Sequence, residues 1–213
     1  MVLCPTIMTI DRASKRHLVQ NKATLNGAGG IMPGKSLVSL NTGFGVSSLG
    51  LVLVAECAGE ICAVSLGDDR LAMLNELHKS FPNVPVNRAG SPQLSGLIAR
   101  VVRCIENPDE SRADLPLHIL GTSFQCDVWR ALQEIPPGEV RTYAELARAT
   151  GHPDATRAVA NACGANKLAV VIPCHRVVRS DGGLGGYRWG VTRKERLLNR
   201  EAGIEHAICT GTF

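Results

Sequence analysis

The amino-acid sequence predicts an α+β protein whose first unit mixes strands and helices and whose second unit is mainly helical. Strand-like and then helix-like apolar patterns fall in residues 46–120, and residues 121–205 carry helical patterns with recognisable ends. With 213 residues, 45% of them hydrophobic, the chain can bury a core as one large domain or two small ones. We expect residues 1–45 and 206–213 to be tails.

The first unit is predicted from its apolar spacing. LGLVLVAE and EICAVSL predict two strands joined by a turn at Ala58 and Gly59, and LPLHIL is a candidate for a further strand. LAMLNELHKSF and QLSGLIARVVRCI have the spacing of helices. Residues 1–45 are rich in Gly, Asn and Ser and weakly periodic, which predicts a poorly structured segment.

The second unit contains a candidate helix-turn-helix. SFQCDVWRALQEI predicts a helix that ends before Pro136, and Thr142 with Glu145 forms a capping box for TYAELARATG. After a tight turn, Asp154 is a candidate cap for ATRAVANAC. Two short helices joined in this way are typical of DNA-binding proteins, although many helical hairpins bind nothing.

The second helix of that pair carries small residues next to polar ones. Ala155, Ala158 and Ala162 lie beside Arg157 and Asn161. Small side chains allow a close approach to a groove, which a long cation can then enter. Close packing against another helix explains the same pattern, and both interpretations stay open.

Charge, cysteine usage and hydropathy narrow the class of protein. Residues 139–200 hold eleven Lys and Arg against five Asp and Glu, in a chain of formal net charge +4. This favours a polyanion such as nucleic acid, or a solvated basic face. The eight cysteines include no Cys-x-x-Cys, so neither a disulfide framework nor a metal site is indicated. No apolar run is long enough for a membrane span and no secretory signal is evident, so we expect no membrane association and an intracellular protein.

One motif satisfies a known pattern without its context. GGIMPGKS, Gly29 to Ser36, matches the phosphate-loop pattern. Such a loop needs a strand before it and a helix after it, and the flanking sequence predicts neither. We therefore do not expect a nucleotide site there.

The last predicted helix contains a misplaced carboxylate. TRKERLLNREAG begins with a second capping box, Thr192 and Glu195. Glu201 falls beside Leu197 and Leu198 on the apolar face. A buried carboxylate needs a His or Arg partner, in either a structural ion pair or a catalytic site.

VVIPCHRVVRSDGG places three polar side chains inside an apolar run that reads as a buried strand. Cys174, His175 and Arg176 precede a glycine-rich stretch able to shape a pocket. A thiolate favoured by adjacent positive charge, and deprotonated by a histidine that Glu201 orients, is an activated nucleophile. The alternative is an inert core thiol.

Three stretches together resemble the O6-alkylguanine-DNA alkyltransferase family, and within it the C-terminal part of Ada-type proteins. They are IPCHRVV, ARATGHPDATRAVANACGANK and GYRWGVTRKERLLNREA. The resemblance runs from Gly121 to Ala202, and GEICAVSLGDD extends it back to about Leu49. It implies an RNase-H-like subdomain at 46–120, and at 121–205 a winged helix-turn-helix subdomain that engages duplex DNA in the minor groove.

The resemblance also implies roles for single residues. Cys174 corresponds to the alkyl acceptor, His175 takes its proton through a bridging water, and Glu201 orients His175. Asn166 braces the loop before the cysteine, and Tyr143 turns the target phosphate and donates to the flipped base.

Further residues correspond to those that contact DNA or the base. Arg157 corresponds to the residue that fills the gap in the base stack, with Ala155, Ala158, Asn161 and Ala162 along the minor groove. The guanine pocket is lined by Val177, Tyr187, Arg188 and Trp189. Because Trp189 is bulky, we expect a narrow pocket that takes methyl well and benzyl-sized groups poorly.

The function implied is single-turnover transfer of methyl from O6-methylguanine, and from O4-methylthymine as a further candidate, in double-stranded DNA to Cys174. We expect a monomer that uses no cofactor and no metal, in the bacterial cytoplasm or the eukaryotic nucleus. Two alternatives stay open: a non-catalytic module that binds alkylated DNA, which the presence of Cys174 disfavours, and a Cys-His hydrolase using His118 or His152. The zinc-binding cysteines and nearly all of the activator region of Ada-type proteins are missing. Residues 1–45 are a candidate remnant, and we expect repair without the transcriptional switch.

Overall fold

The computed structural model describes residues 37–88, 90–108, 112 and 114–203. Its architecture is the predicted α+β one, with a sheet and two helices followed by a mainly helical part. The first part consists of β1 (Leu40–Ser47), β2 (Gly50–Cys57), β3 (Glu60–Gly67), α1 (Arg70–Ser80), β4 (Val86–Asn87) and α2 (Pro92–Glu106). The second consists of α3 (Ser123–Gln133), β5 (Arg141–Thr142), α4 (Tyr143–Ala149), α5 (Thr156–Gly164), a 3₁₀ turn (Cys174–Arg176), β6 (Val177–Val178) and α6 (Val191–Glu201).

The four-stranded sheet has the order β3-β2-β1-β4. The first three strands pair antiparallel, and β4 pairs parallel with β1. The predicted turn joins β2 to β3, with φ of 51° at Ala58 and 85° at Gly59, as a two-residue hairpin turn requires. LPLHIL forms an isolated bridge between Leu117 and Ile61 instead of the predicted strand.

Strand β1 corrects the predicted extent of the N-terminal tail, because it begins at Leu40 and not after residue 45. Two glycines, Gly43 and Gly45, interrupt the side-chain alternation from which a strand is predicted. A Cβ at Gly43 would lie 2.6 Å from Cδ1 of Ile98, and one at Gly45 would lie 2.7 Å from Cγ2 of the same residue. The glycines therefore let α2 approach the sheet, at the cost of a weak strand pattern. The phosphate-loop match, Gly29 to Ser36, lies outside the described residues.

The helix-turn-helix is present, but two predicted caps are wrong. Thr142 and Glu145 form the expected capping box of α4. Helix α5 begins at Thr156 with Ala155 as its cap and no side-chain bond, because the N–H of Ala155 closes a turn onto the carbonyl of His152 (2.9 Å) and Asp154 lies within that turn. Helix α6 begins after Gly190, whose φ is 100°, so that Thr192 already lies inside it.

The two parts share one apolar core, and the segment before Cys174 joins them. The N–H of Val64 on β3 donates to the carbonyl of Lys167 (2.9 Å), and that of Ala169 donates to the carbonyl of Val64 (3.0 Å). The loop that leads to Cys174 is thus fixed to the outer strand of the sheet. None of the helices in the described ranges is long and apolar enough to cross a membrane.

Candidate active site

The segment around Cys174 is a buried turn, which corrects the prediction of a buried strand. The N–H of Val171 donates to the carbonyl of Ala169 and that of Ile172 to the carbonyl of Leu168, so the chain folds back before Pro173. Val170 has φ of 65°, an unfavourable conformation for a β-branched residue. Backbone strain of this kind is concentrated at functional sites, where the surrounding packing enforces it.

Asn166 ties this turn to the cysteine. Its side chain is 1% exposed. The amide nitrogen donates to the carbonyl of Ile172 (3.0 Å) and to the sulfur of Cys174 (3.3 Å), and its oxygen accepts from the N–H of Leu168 (2.8 Å). A single amide therefore fixes both ends of the turn and touches the thiol.

His175 is fully buried and hydrogen-bonded to Glu201, with 2.9 Å between Nε2 and Oε1. Because a carboxylate only accepts, Nε2 carries the hydrogen and Nδ1 of the neutral ring keeps a lone pair. Nδ1 is buried and has no hydrogen-bond partner within the described ranges. Burial lowers the pKa of His175, against the opposing effect of Glu201. The ring is thus a neutral base at physiological pH.

Glu201 has the His and Arg partners that were predicted for a carboxylate on an apolar helix face. Arg176 approaches it with two nitrogens, Nε to Oε2 at 2.9 Å and Nη2 to Oε1 at 2.7 Å. Arg112 lies 3.8 Å from Oε1. Burial opposes the charge on Glu201, but hydrogen bonds from His175 and Arg176 lower its pKa to about 2. The carboxylate therefore stays ionised beside the imidazole.

The prediction that the adjacent charge of Arg176 favours a thiolate at Cys174 is wrong, because the guanidinium is bound to other groups. Arg176 points to Glu201 and to the carbonyl of Ile135. Burial raises the pKa of Cys174 to about 11, while the Asn166 hydrogen bond and the charges of Lys194 and Arg188 act in the other direction. Cys174 is thus a neutral thiol at rest, and a nearby base must remove its proton.

Lys194 was not recognised from the sequence. It is fully buried, and its Nζ donates to the carbonyls of Val177 and Leu184. A signal was available, since Lys194 precedes Leu197 by three residues and Glu201 by seven, on one helix face. It joins the strand that follows Cys174 to the glycine-rich loop.

The aromatic residues predicted for the pocket lie together beside the histidine. The ring centroids of Tyr187 and Trp189 are 5.1 Å apart, and those of Tyr187 and His175 are 6.4 Å apart. The hydroxyl of Tyr187 is buried without a hydrogen-bond partner in the part of the chain that is described. Arg188 is more exposed and donates to Ser80 (3.0 Å) and to the carbonyl of Asn166 (3.4 Å).

Tyr143 begins α4 and is half-buried. A Cβ at Gly185, where φ is 68°, would lie 3.3 Å from the hydroxyl of Tyr143, so the glycine-rich loop passes close to it. Burial raises the pKa of Tyr143. Its hydroxyl is therefore protonated at neutral pH and able to donate.

Of the five predicted DNA-contacting residues on α5 and at its cap, four are accessible to a partner. Arg157, Ala158 and Asn161 are exposed and Ala155 is half-buried. Ala162 is a correction, since it is 2% exposed and its carbonyl accepts from Nε1 of Trp129 (2.8 Å). Its small size serves the packing of α5 against α3.

The histidines proposed for a hydrolase are engaged elsewhere. Nδ1 of His118 lies 3.0 Å from Glu60, and the ring of His152 packs edge-on against Phe124. The histidine adjacent to Cys174 is His175. Within the described residues, no group of three or more His, Cys, Asp or Glu side chains could hold a metal ion.

Residues 123–203 match the family model described as 6-O-methylguanine DNA methyltransferase, DNA binding domain. The methylated-DNA–protein-cysteine methyltransferase of Candida albicans is 36% identical over 159 residues, which cover 71% of this chain and 89% of that protein. This chain belongs to the methylated-DNA–protein-cysteine methyltransferase family.

Two further comparisons fit this methyltransferase family. The Escherichia coli protein named bifunctional transcriptional activator/DNA repair enzyme Ada is 51% identical over 157 residues, which cover 72% of this chain. They cover 43% of Ada, so this chain spans less than half the length of that relative. The crystal structure of Mycobacterium tuberculosis OGT in complex with DNA superposes with a TM-score of 0.63 at 30% identity, over 78% of this chain and 94% of that one.

Proposed function

We propose that this protein repairs DNA by transferring the methyl group of O6-methylguanine in duplex DNA to the sulfur of Cys174. One observation carries the proposal: the residue next to a buried cysteine is a neutral histidine, oriented by an ionised carboxylate, whose Nδ1 has no hydrogen-bond partner among the described residues. A thiol so placed is suited to nucleophilic attack. Membership of the methyltransferase family supports the same reaction.

The proposed chemical step uses the side chains of Cys174, His175 and Tyr143 together with water. Nδ1 of His175 takes the thiol proton, through a water molecule as the family resemblance implies, and the sulfur attacks the methyl carbon. The S–C bond forms as the O6–C bond breaks, and the departing guanine takes a proton from the hydroxyl of Tyr143. The proton held by His175 then restores Tyr143 through solvent. Lys194, Asn166 and Glu201 hold the reacting groups in place.

Access to the base requires that it leave the duplex, because the alkyl group of a stacked base cannot be attacked in line. We place the minor groove against the exposed side of α5, with Arg157 filling the gap left in the stack. Ala155, Ala158 and Asn161 line the approach. Tyr143, at the start of α4, turns the target phosphate.

The flipped guanine enters a pocket formed by the backbone near Val177 and Arg188 and by the rings of Tyr187 and Trp189. Trp189 is 7% exposed and packs on Tyr187. The family resemblance puts this bulky ring beside the alkyl pocket, so we infer that the pocket is narrow. A methyl group fits better than a benzyl group. O4-methylthymine, which presents a methyl in a similar position, is a second substrate.

Each molecule acts once. The product is a thioether on Cys174, whose sulfur is a poor leaving group toward water, and the proposed mechanism includes no second step. We infer that the subdomain at 121–205 performs the reaction while that at 46–120 supports the loop before Cys174. The protein works as a monomer where the DNA is, in the bacterial cytoplasm or the eukaryotic nucleus.

Stoichiometry tests the proposal. Excess duplex with one O6-methylguanine is mixed with the protein, and the loss of methylated base is followed. We expect a reaction that stops at one methyl per protein molecule, and none with Cys174→Ser. Binding without loss of the methyl group would instead support a recognition module, and continued turnover would contradict the mechanism.

A further inference from the structure

Arg193 on α6 makes three hydrogen bonds, two to the first part of the protein and one to the carbonyl of Trp189, four residues earlier. Its Nε donates to the carbonyl of Leu49 (2.8 Å), in the turn between β1 and β2. Its Nη2 donates to Asp68 (2.6 Å), just after β3, and its Nη1 donates to the carbonyl of Trp189 (3.0 Å). One planar guanidinium thus fixes the backbone of Trp189 against the sheet.

The turn that receives Arg193 is shaped for it. Gly50 has φ of 102°, and a Cβ there would lie 2.8 Å from Oδ1 of Asp68 and 3.3 Å from Nη2 of Arg193. A side chain at this position would push against the pair. The contact therefore depends on glycine in the N-terminal sheet as well as on the arginine of α6.

From Trp189 a series of rings leads to the reacting groups. Trp189 packs edge-on against Tyr187 (centroids 5.1 Å apart), and Tyr187 packs edge-on against His175 (6.4 Å). Because these rings are closely packed, a shift of the indole would displace Tyr187, which packs against the same core cluster as Cys174.

Trp189 lines a cleft of about 470 Å³. The cleft lies between α1, β3 and the start of α6, and its lining also includes Arg193, Arg188, Met73, Leu77 and Lys167. The bond from Arg193 holds the Trp189 backbone at the edge of this cleft.

We propose that Arg193 is a positioning residue that sets the size limit of the alkyl pocket by holding Trp189 against Tyr187. When this bond is lost, the indole moves toward the cleft and the pocket admits larger alkyl groups. The inference rests on the proposed methyl transfer to Cys174. It assigns part of the substrate selection to the N-terminal subdomain, through Leu49 and Asp68.

The test compares two rates in Arg193→Met: methylation of Cys174 by duplex O6-methylguanine, and inactivation by free O6-benzylguanine. We expect the ratio of benzyl to methyl reaction to rise about tenfold, a typical effect of changed pocket size. Asp68→Asn removes only the outer ion pair, on a carboxylate that is 81% exposed, and should raise the ratio by about two- to fivefold. It decides the question if Arg193→Met does not fold.

Arg200→Met is the matched control. Arg200 also reaches from α6 to the first part, donating to the carbonyl of Ile105 (2.9 Å) and to Ser48 (2.9 Å), at a different point of the interface. We expect its ratio to stay at the wild-type value. In a Trp189→Ala background, Arg193→Met should change the ratio by less than about twofold, because the residue it positions is gone.

The outcomes separate the two proposals. A wild-type ratio in both Arg193→Met and Asp68→Asn, with Cys174 still methylated, overturns the role of Arg193 and leaves the methyltransferase standing. An equal rise in Arg200→Met would reduce the effect to general loosening of the interface and would also overturn it. Absence of methyl transfer by the wild-type protein overturns both.

Discussion

Glu201 and His175 meet at 2.9 Å, so a carboxylate at the end of α6 fixes the tautomer of the imidazole next to Cys174. His175 lies in the 3₁₀ turn and Glu201 at the end of α6. Each residue gives the other the hydrogen-bond partner that it needs when buried. Without Glu201 the ring could present either nitrogen to the thiol. Without His175 and Arg176, the buried carboxylate would keep only the more distant charge of Arg112, 3.8 Å away, and would lose its hydrogen bonds from those two side chains.

Glu201→Gln tests this relationship. The amide can still contact Nε2 but no longer enforces the tautomer, so we expect methyl transfer to slow by about 10²–10⁴-fold, the range of general-base catalysis. Glu195→Gln, on the exposed face of the same helix, should leave the rate unchanged. Single-turnover kinetics at equal folded fraction give the comparison, and equal rates in both variants would contradict the role of Glu201.

Stability should depend on pH through the same pair. The pKa of Glu201 falls from its ordinary 4.5 to about 2 on folding, so its stabilisation is present above about 4.5 and is lost as pH falls toward 2. The pKa of His175 is lowered from 6.5, so the unfolded chain takes up this proton first and stability begins to decline below about 6.5. Urea unfolding from pH 7 to pH 3 should show both phases.

The contribution of Glu201 to this decline is separable. Glu201→Gln should show a smaller decline below pH 4.5, because other carboxyl groups with a lowered pKa, such as Glu145, still contribute. It should be less stable by about 3–5 kcal/mol at neutral pH, because it leaves Arg176 without its counter-charge. A variant with an unchanged pH profile would show that the pair titrates no differently in the folded state.

Asn166→Ala should weaken both the fold and the reaction. The substitution leaves the buried N–H of Leu168 without its acceptor, at a cost of about 1–3 kcal/mol, while the carbonyl of Ile172 keeps the N–H of Cys174 (2.8 Å). It also removes the donor to the Cys174 sulfur, so the pKa of the thiol should rise further and transfer should slow. Asn75→Ala, on the exposed side of α1, should change stability by less than about 0.5 kcal/mol.

Arg157→Ala should impair transfer from duplex DNA more than reaction with a free base. The side chain is exposed on α5 and is proposed to replace the flipped nucleotide, whose unstacking costs a few kcal/mol. We expect the ratio of duplex to free-base reaction to fall about tenfold or more. An unchanged ratio would remove Arg157 from the flipping step.

The sequence predicted well those features that local pattern determines. The strands β2 and β3, their turn at Ala58, and the α4 capping box follow from side-chain alternation and short-range hydrogen bonding. The pairing of His175 with Glu201 could also be anticipated, because a carboxylate on an apolar helix face requires a partner.

Features that depend on tertiary contact could not be predicted in the same way. The glycines of β1 have their reason in Ile98, which belongs to a helix far along the chain. A small residue such as Ala162 is compatible with a helix that faces a DNA groove and with one that packs against another helix. Its contact with Trp129 shows that it is packed. The contacts of Lys194 and Arg193 join backbone carbonyls, which carry no side-chain signal in the sequence.

Among the eight cysteines of the chain, Cys174 is the proposed methyl acceptor. The most direct measurement is to react the protein with duplex DNA containing O6-methylguanine, digest it, and locate the modification by tandem mass spectrometry. We predict one added methyl on the peptide containing Cys174, at that residue and in stoichiometric yield. An unmodified Cys174, or methylation at another cysteine, would show that Cys174 is not the acceptor.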